Sequence, residues 1–324
     1  MQARPTLSDM LANLQQIQAN ARQQATVIPM VAPAGGAVPR LLGMLREFAG
    51  FRGNEHLQRK LAKVFEGMST EELERWVSSL ANDPSGNELL ALVEDLTNHE
   101  TYFFRDTPQL DILAQHILPK LVQEKIRSGD KSLKIWSAAC STGEEAWTLA
   151  LMAVKALLDA GIARESRPGE VWLPPNWRLE VLGTDISRQA IRVARGGAYR
   201  TEAMASFRQF PAEYSRFFEA TPGADARQGS ASSYRSVKTC IRPFVRFELF
   251  NLVSKTPPCR DADLILCRNV LIYLDPAAHP SVQRMLRDAL RPRGYLMQGV
   301  VDRLHARDDF TDHWFDRCVI HERK

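Results

Sequence analysis

The sequence predicts an α/β fold: a doubly wound, mainly parallel sheet that follows a helical domain and carries a small inserted antiparallel β-subdomain. After about Thr97, short apolar runs alternate with longer helical stretches, which is the pattern of β-α units around a parallel sheet. Before that point, apolar residues recur only at helical spacing. Between Tyr199 and Asn251 the β-α pattern stops, and a stretch rich in Gly, Ser and Ala separates two segments of alternating polarity. These observations predict the fold class.

The chain divides into three predicted regions. Residues 1–39 are rich in Gln, Ala, Pro and Gly and predict a flexible tail. Residues 40–97 predict a helical domain, in which Ser69 and Glu72 fit a capping box. Residues 98–324 predict the α/β domain, with the insert at about 205–248 and Ile241–Phe247 as one of its antiparallel strands. The other predicted elements are the strands Lys134–Ala139, Leu179–Gly183, Ala262–Cys267 and Gly294–Met297 and the helices Ala146–Ala160, Ser187–Ala194 and Met285–Leu290.

Composition limits the classes of protein to consider. The 324 residues are 44% hydrophobic, yet no apolar run approaches the roughly 20 residues of a membrane span. The first residues lack the pattern of a secretory signal, so we expect a cytoplasmic protein without membrane insertion. Five cysteines, odd in number and without a C-x-x-C pair, argue against a disulfide framework and against a zinc site, and no metal ligands are expected.

The charge is unevenly distributed along the chain. The net charge is only +4, but Ile186–Phe250 holds 11 Lys and Arg against 5 Asp and Glu, a surplus of 6. Such a stretch favours an acidic partner, although a solvated basic surface explains the count equally well. No groove-reading motif or aromatic-basic pattern accompanies it, so nucleic acid is not expected.

Open parallel sheets bind ligands outside the carboxyl ends of their strands, and polar motifs follow the predicted strands here. After the first strand, Cys140–Glu145 contains small residues and a glycine, and Glu144 begins a helix. A capped tight turn is the alternative interpretation. After the second strand, Asp185 is placed to accept hydrogen bonds from two ribose hydroxyls, or else to cap the helix that follows.

Two further segments carry polar residues in unusual places. Arg268 and Asn269 interrupt an apolar run, and unpaired buried polar groups cost about 1–3 kcal/mol, so this pair indicates a ligand or a specific hydrogen bond. Asn98–Asp106 mixes hydrogen-bonding and aromatic side chains just before the α/β pattern starts. Its alternative interpretation is a hinge packed by Phe103 and Phe104.

The motifs T-Y-F-F-R-D, S-T-G-E-E, G-T-D-I-S and C-R-N-V-L-I-Y, in this order, resemble the CheR family of chemoreceptor protein-glutamate O-methyltransferases from about Thr97 to the C-terminus. The resemblance implies transfer of methyl groups from S-adenosyl-L-methionine to glutamates on acidic cytoplasmic helices of a chemoreceptor, with S-adenosyl-L-homocysteine as product. It also implies that the insert contributes to receptor engagement. The cofactor contacts it implies are His99, Thr101, Arg105, Glu144, Asp185, Asn251, Leu252, Asn269 and Val270.

The sequence departs from the family pattern at three places. His99 stands where the family often has Asn, Ala146–Thr148 replaces Pro-Tyr-Ser, and Gly299–Asp302 is Gly-Val-Val-Asp where Gly-His-Ser-Glu is common. These departures leave open a binding or adaptor module with little turnover. A nicotinamide-dependent oxidoreductase fits poorly, because G-x-G-x-x-G is missing and Asp185 lies about twice as far downstream as that fold expects.

The implied chemistry needs no general base. A glutamate with a reference pKa near 4.3 reaches the site already ionised, so the enzyme works by positioning its reactants. We expect Arg105 and Arg268 to position the substrate. Arg188, Arg192 and Arg195 share one helix face and are candidates for docking acidic receptor helices. The sequence predicts nothing about the oligomeric state.

Overall fold

The computed structural model describes residues 36–83, 86–202, 205–221, 234–316 and 318–324. Most of the predicted tail and the Gly-, Ser- and Ala-rich part of the insert lie outside these residues. The described chain forms two compact units, one of residues up to Asn98 together with Tyr273–Ala278, the other of His99–Ile272 and His279–Lys324. No helix in the described ranges is both long and apolar enough to cross a membrane.

The first unit is built from four amphipathic helices. They are α1 (Ala37–Ala49), α2 (Glu55–Val64), α3 (Thr70–Ala81) and α4 (Asn87–Leu96). Each buries one apolar stripe, such as Leu41 and Leu45 of α1, because helical spacing places these residues on a single face. The capping box of Ser69 and Glu72 is present at the start of α3. Helix α1 begins at Ala37, inside the stretch predicted as tail.

The second unit has a seven-stranded sheet. Its strands are β1 (Ser132–Ala138), β4 (Arg178–Asp185), β8 (Val245–Leu249), β9 (Ala262–Cys267), β10 (Leu290–Gln298), β11 (Phe310–Phe315) and β12 (Cys318–Arg323). Their order in the sheet is β11-β12-β10-β9-β1-β4-β8. Five neighbouring strands, β10, β9, β1, β4 and β8, are parallel, and β12 and β11 add an antiparallel edge. The predicted fold class is confirmed.

Helices and two small sheets complete this unit. The helices are α5 (Thr107–Ile112), continued by a π-helical turn Leu113–Ile117 into α6 (Leu118–Ser128), then α7 (Glu144–Asp159), α8 (Arg188–Gly196) and α9 (His279–Ala289). Strands β2 (Arg164–Arg167) and β3 (Glu170–Trp172) form a hairpin. Strands β5 (Ala198–Arg200), β7 (Tyr234–Val237) and β6 (Phe218–Thr221) form the antiparallel sheet of the insert.

One predicted strand of the insert is assigned to the wrong sheet. The segment Ile241–Phe247 was expected to pair antiparallel inside the insert, but its second half begins β8, which pairs parallel with β4 in the main sheet. The alternation of apolar and polar residues does reflect a strand with one buried face, because Phe247 is buried against Trp147 of α7, with ring centroids 5.3 Å apart. A half-buried edge strand of the main sheet and a strand of a small sheet have the same period, so the pattern alone cannot separate them.

Candidate functional site

The carboxyl ends of β1, β4 and β9 meet at one edge of the sheet, where the order of the strands reverses about β1. Crevices at such switch points bind ligands in open α/β sheets. Five of the eight non-glycine residues with positive φ in the described part of the chain lie in the segments of this edge. They are Phe104, Asp106, Ala139, Ser141 and Asn269. Strained backbone of this kind concentrates at functional sites, which supports this edge as the candidate site.

Asp185 joins the loops that follow β1 and β4. Its Oδ2 accepts a hydrogen bond from the Ser141 amide at 2.9 Å, and its Oδ1 accepts one from the Ser187 amide at 2.9 Å. The helix α8 is capped by Ser187, whose hydroxyl accepts from the Ala190 amide. Asp185 is therefore not the helix cap that the sequence allowed.

The Asp185 carboxylate is only 8% exposed. Burial raises its pKa, while hydrogen bonds from the backbone and the nearby charge of His99 oppose that rise. A carboxylate offers about four acceptor positions; the amides of Ser141 and Ser187 occupy two of them, and the Ile186 amide also stabilises the charged form. Asp185 thus keeps acceptor capacity for a ligand.

Glu144 is held by two hydroxyl groups. Its Oε2 accepts from Thr142 Oγ1 at 2.6 Å, and its Oε1 accepts from Ser206 Oγ at 2.7 Å. Burial raises the pKa of Glu144, and both hydroxyl hydrogen bonds oppose part of that rise because they favour the charged form. Ser206 belongs to the insert, so a contact across 62 positions of sequence completes this part of the site.

The turn before α7 depends on Gly143. Its φ is +97°, and a Cβ placed there would lie 2.6 Å from Ala194 Cβ of α8. No other residue fits this position without displacing α8, since real Cβ atoms do not approach so closely. The glycine lets the loop Cys140–Gly143 lie directly against α8, which shapes a cradle beside Glu144 and Asp185.

The segment that precedes α5 is fixed from both sides. The Phe103 amide donates to Ser206 O at 2.9 Å, and the Phe104 amide donates to Thr148 Oγ1 of α7 at 3.2 Å. The Phe103 ring is fully buried among Tyr199 and three phenylalanines of the insert, Phe207, Phe210 and Phe218. The aromatic pair predicted as hinge packing therefore attaches this segment to the insert.

Arg268 is buried, with a side-chain exposure of 2%. Its Nη2 donates to the Arg105 carbonyl at 2.8 Å and lies 3.5 Å from Asp106 Oδ2, and its Nε lies 3.3 Å from Glu145 Oε2. The Nη1 group has no hydrogen-bond partner in the described part of the chain. In this conformation Arg268 anchors the backbone of Arg105 to α7 and does not present its guanidinium at the surface.

The remaining predicted contacts lie around this centre. The Ser141 hydroxyl donates to the His99 carbonyl at 3.3 Å, and the Phe250 amide donates to the Asp185 carbonyl at 2.9 Å, which brings the start of the Asn251–Leu252 segment beside Asp185. Asn269 has a φ of +57° and begins the turn after β9. Thr101, Arg105 and Val270 are partly exposed. The described residues contain no group of three or more His, Cys, Asp or Glu arranged to hold a metal ion.

Most arginines of the basic stretch are engaged within the protein. Arg195 donates two hydrogen bonds to the Phe247 carbonyl, at 2.7 and 3.2 Å, and Arg242 donates to the Val237 and Gly196 carbonyls. Ion pairs occupy Arg208, Arg216 and Arg246, and Arg235 donates to a carbonyl. Arg195, one of the three arginines predicted to form a docking face on α8, therefore uses its guanidinium to hold β8 against α8.

Sequence reasoning missed Ser141 and Ser206. Serines are common in loops, and nothing in the local pattern distinguishes these two. The only available signal is the position of Ser141 directly after a strand end. The contact of Ser206 with Glu144 is visible only in three dimensions.

Comparison with known proteins agrees with this geometry. Residues 99–318 match the family model of the CheR methyltransferase, SAM binding domain. A chemotaxis protein methyltransferase 1 of Vibrio cholerae is 32% identical over 221 residues, which cover 68% of this chain and 70% of that protein. The corresponding protein of Pseudomonas aeruginosa is 29% identical over 256 residues, covering 79% and 83%. The chemotaxis protein methyltransferase of Salmonella typhimurium is 28% identical over 267 residues, covering 80% and 81%.

Proposed function

The chain belongs to the CheR methyltransferase family and is an S-adenosylmethionine-dependent enzyme, and from that premise we propose that it methylates glutamate side chains of a chemoreceptor. The products are glutamate methyl esters and S-adenosylhomocysteine. The observation that carries the proposal is that Asp185 and Glu144, two buried carboxylates, flank one glycine-shaped loop at the carboxyl edge of the sheet. We propose further that the protein acts in the cytoplasm, on the cytoplasmic helices of that receptor.

The residues of the site fit S-adenosylmethionine in their chemistry. The ribose carries hydroxyl donors, which suit the acceptor capacity that the Asp185 carboxylate keeps. The methionine end carries an ammonium group, which suits the carboxylate of Glu144. The Gly143 turn holds the loop that carries Ser141 against α8, between Glu144 and Asp185. We assign His99, Thr101, Asn251, Leu252, Asn269 and Val270 to the walls of the same pocket.

The bound cofactor supplies a methyl group on a sulfonium, so the leaving group is a neutral thioether. The chain then has to hold the ionised substrate carboxylate in line and exclude water from it. Arg105 is partly exposed at the site, and we propose that its guanidinium orients that carboxylate. Arg268 contributes by fixing the backbone of Arg105. Well-oriented reactants gain roughly 7–11 kcal/mol in this way without a general base.

A labelled-methyl assay tests the proposed function. Purified protein, S-adenosylmethionine with a labelled methyl group and receptor-bearing membranes should give base-labile label on the receptor, because glutamate methyl esters hydrolyse in base. Membranes in which the receptor glutamates are replaced by alanine are the control. Cofactor binding without transfer would select the adaptor function instead, and label on the control receptor would exclude glutamate as the acceptor.

Ser206→Ala should weaken cofactor binding about tenfold at pH 7, because a hydrogen bond to a charged group contributes about 1.5–3 kcal/mol. The lost hydroxyl also removes support for the ionised form, so the pKa of Glu144 rises further. The affinity for S-adenosylmethionine depends on the ionised form of Glu144, which pairs with the ammonium group, so it is lost as pH falls through the pKa of Glu144. Calorimetric titrations across pH should show the loss beginning at higher pH in the variant.

Ser236→Ala is the matched control for this experiment. Ser236 is a buried serine of the same insert, but its hydroxyl pairs with Thr221 and not with Glu144. The pH profile of cofactor affinity in the Ser236→Ala variant should coincide with that of the wild type. A profile for Ser206→Ala with an unchanged midpoint would contradict the positioning role of Ser206.

The stability of the protein should depend on pH in the opposite sense to cofactor binding. Because the pKa of Glu144 is raised in the folded state, its contribution to the free energy of unfolding is present below the unfolded pKa and is lost as pH rises through the folded pKa.

A further inference from the structure

Exposed apolar side chains concentrate at the edge of the sheet that carries the site. Of eight large apolar side chains exposed in the described part of the chain, four lie at the carboxyl ends of parallel strands or in the turns after them, and three of these four follow the neighbouring strands β9 and β10. Leu249 ends β8, Ile272 follows β9, and Val300 and Val301 follow β10. Val301 is the most exposed of the eight, at 77%, and Val300 beside it is 68% exposed. Single exposed apolar residues are common, but an adjacent pair beside a site indicates contact with a partner.

The turn that carries the valines is well ordered by its own contacts. The Asp302 carboxylate accepts from the Gly299 amide at 3.0 Å, and the Asp302 amide donates to the Gly299 carbonyl at 3.0 Å. Just before the turn, Gln109 of α5 donates to the Gln298 carbonyl at 2.8 Å. The valines therefore stand at the tip of a fixed turn, and their exposure does not result from a loose loop.

The turn is next to the predicted pocket on the side away from Asp185. A Cβ on Gly299 would lie 3.1 Å from the Asn269 amide, so the turns after β10 and β9 are in contact. Glu144 and Asp185 mark the cofactor side, over β1 and β4. Asn269 and Val270, after β9, border the pocket, and the β10 turn beyond them faces the side that is left for the substrate.

We propose that Val300 and Val301 form an apolar contact for the protein substrate, which takes an apolar side chain adjacent to the methylated glutamate on a receptor helix. This inference rests on the proposed function and specifies its substrate. Residues three or four positions from a glutamate lie about 5–6 Å away on the same helix face, which is close to the spacing of neighbouring strands, about 4.8 Å. A glutamate over the β9 end thus places its helical neighbour over the β10 turn. The exposed Arg303 adds a positive charge for an acidic helix.

The test is the double variant Val300→Ser and Val301→Ser in the full chain, assayed with receptor-bearing membranes. We expect KM for receptor to rise about tenfold, equivalent to about 1.4 kcal/mol, with kcat within about twofold. Cofactor affinity by calorimetry and Tm should stay at wild-type values, since both side chains are exposed. The apolar double variant Val300→Ile and Val301→Ile should keep the wild-type KM.

Ile126→Ser is the matched control. Ile126 is 41% exposed near the end of α6, which leads into the amino end of β1, and its loss should not alter KM. An unchanged KM in the serine double variant, or an equal rise in the Ile126 variant, overturns the inference. If the wild type itself transfers no methyl group to the receptor, the proposed function fails, and that result is distinct from the other two.

Discussion

Replacing Asp185 with alanine is expected to weaken the binding of S-adenosylmethionine about a hundredfold, which corresponds to about 2.7 kcal/mol. The carboxylate has two roles that alanine cannot fill. It accepts hydrogen bonds from the backbone amides of Ser141 and Ser187, so its loss leaves these two donors without their partner. The loss also removes the link between the loop after β1 and the loop after β4. The carboxylate also provides the acceptors for the ribose hydroxyls. Isothermal titration of the folded variant measures the combined effect.

Two further variants separate cofactor binding from a general loss of stability. Asp185→Asn keeps the shape and one acceptor oxygen, so its affinity should lie between the wild type and the alanine variant. Asp263→Asn changes a fully buried aspartate near the amino end of β9, where it pairs with Lys125 and Arg291. This variant should lower Tm without changing cofactor affinity. An Asp185→Ala protein that is folded and binds within about threefold of the wild type would exclude Asp185 from the cofactor site.

The sequence predicts the architecture of the second unit well because burial imposes a strong pattern on it. The strand Ala262–Cys267 has the predicted bounds, and all six residues are buried, as expected of a mainly apolar strand inside a parallel sheet. Helix α7 begins at Glu144, as predicted. Asp185 could be identified because topology alone places the residue after a parallel strand at the ligand-binding edge.

The details of the site could not be predicted, because they depend on contacts between distant segments. Ser206 contacts Glu144 from the insert, and Arg268 contacts Arg105 across 163 positions. The arginines of the basic stretch appear as surface charge in a composition count, whereas Arg195 and Arg242 donate to carbonyls of the fold. A pattern along the chain reports which face of an element is buried but not which partner lies there.

Replacing Arg268 with methionine is expected to lower the free energy of unfolding by about 2–4 kcal/mol and to reduce kcat more than cofactor affinity. Breaking one partner of a buried ion pair costs about 3–5 kcal/mol, because the remaining charges stay buried. The cost is lower here because Asp106 is one-third exposed and recovers hydration. The catalytic effect follows from Arg105, whose carbonyl loses its donor, so that the backbone carrying this side chain is no longer fixed to α7.

A double-mutant cycle with Glu145→Gln distinguishes this role from direct contact with substrate. Glu145 accepts from Ser137 of β1 at 2.7 Å and lies 3.3 Å from Arg268, so it is the carboxylate that links Arg268 to the start of α7. If Arg268 acts through this network, the two substitutions should be non-additive in denaturant unfolding, and the methionine variant should show the same receptor KM as the wild type. If Arg268 instead contacts the substrate carboxylate, its loss should raise the receptor KM, and the cycle with Glu145 should be close to additive. The two results are mutually exclusive, because a guanidinium that is 2% exposed reaches a docking glutamate only after leaving Glu145 and the Arg105 carbonyl.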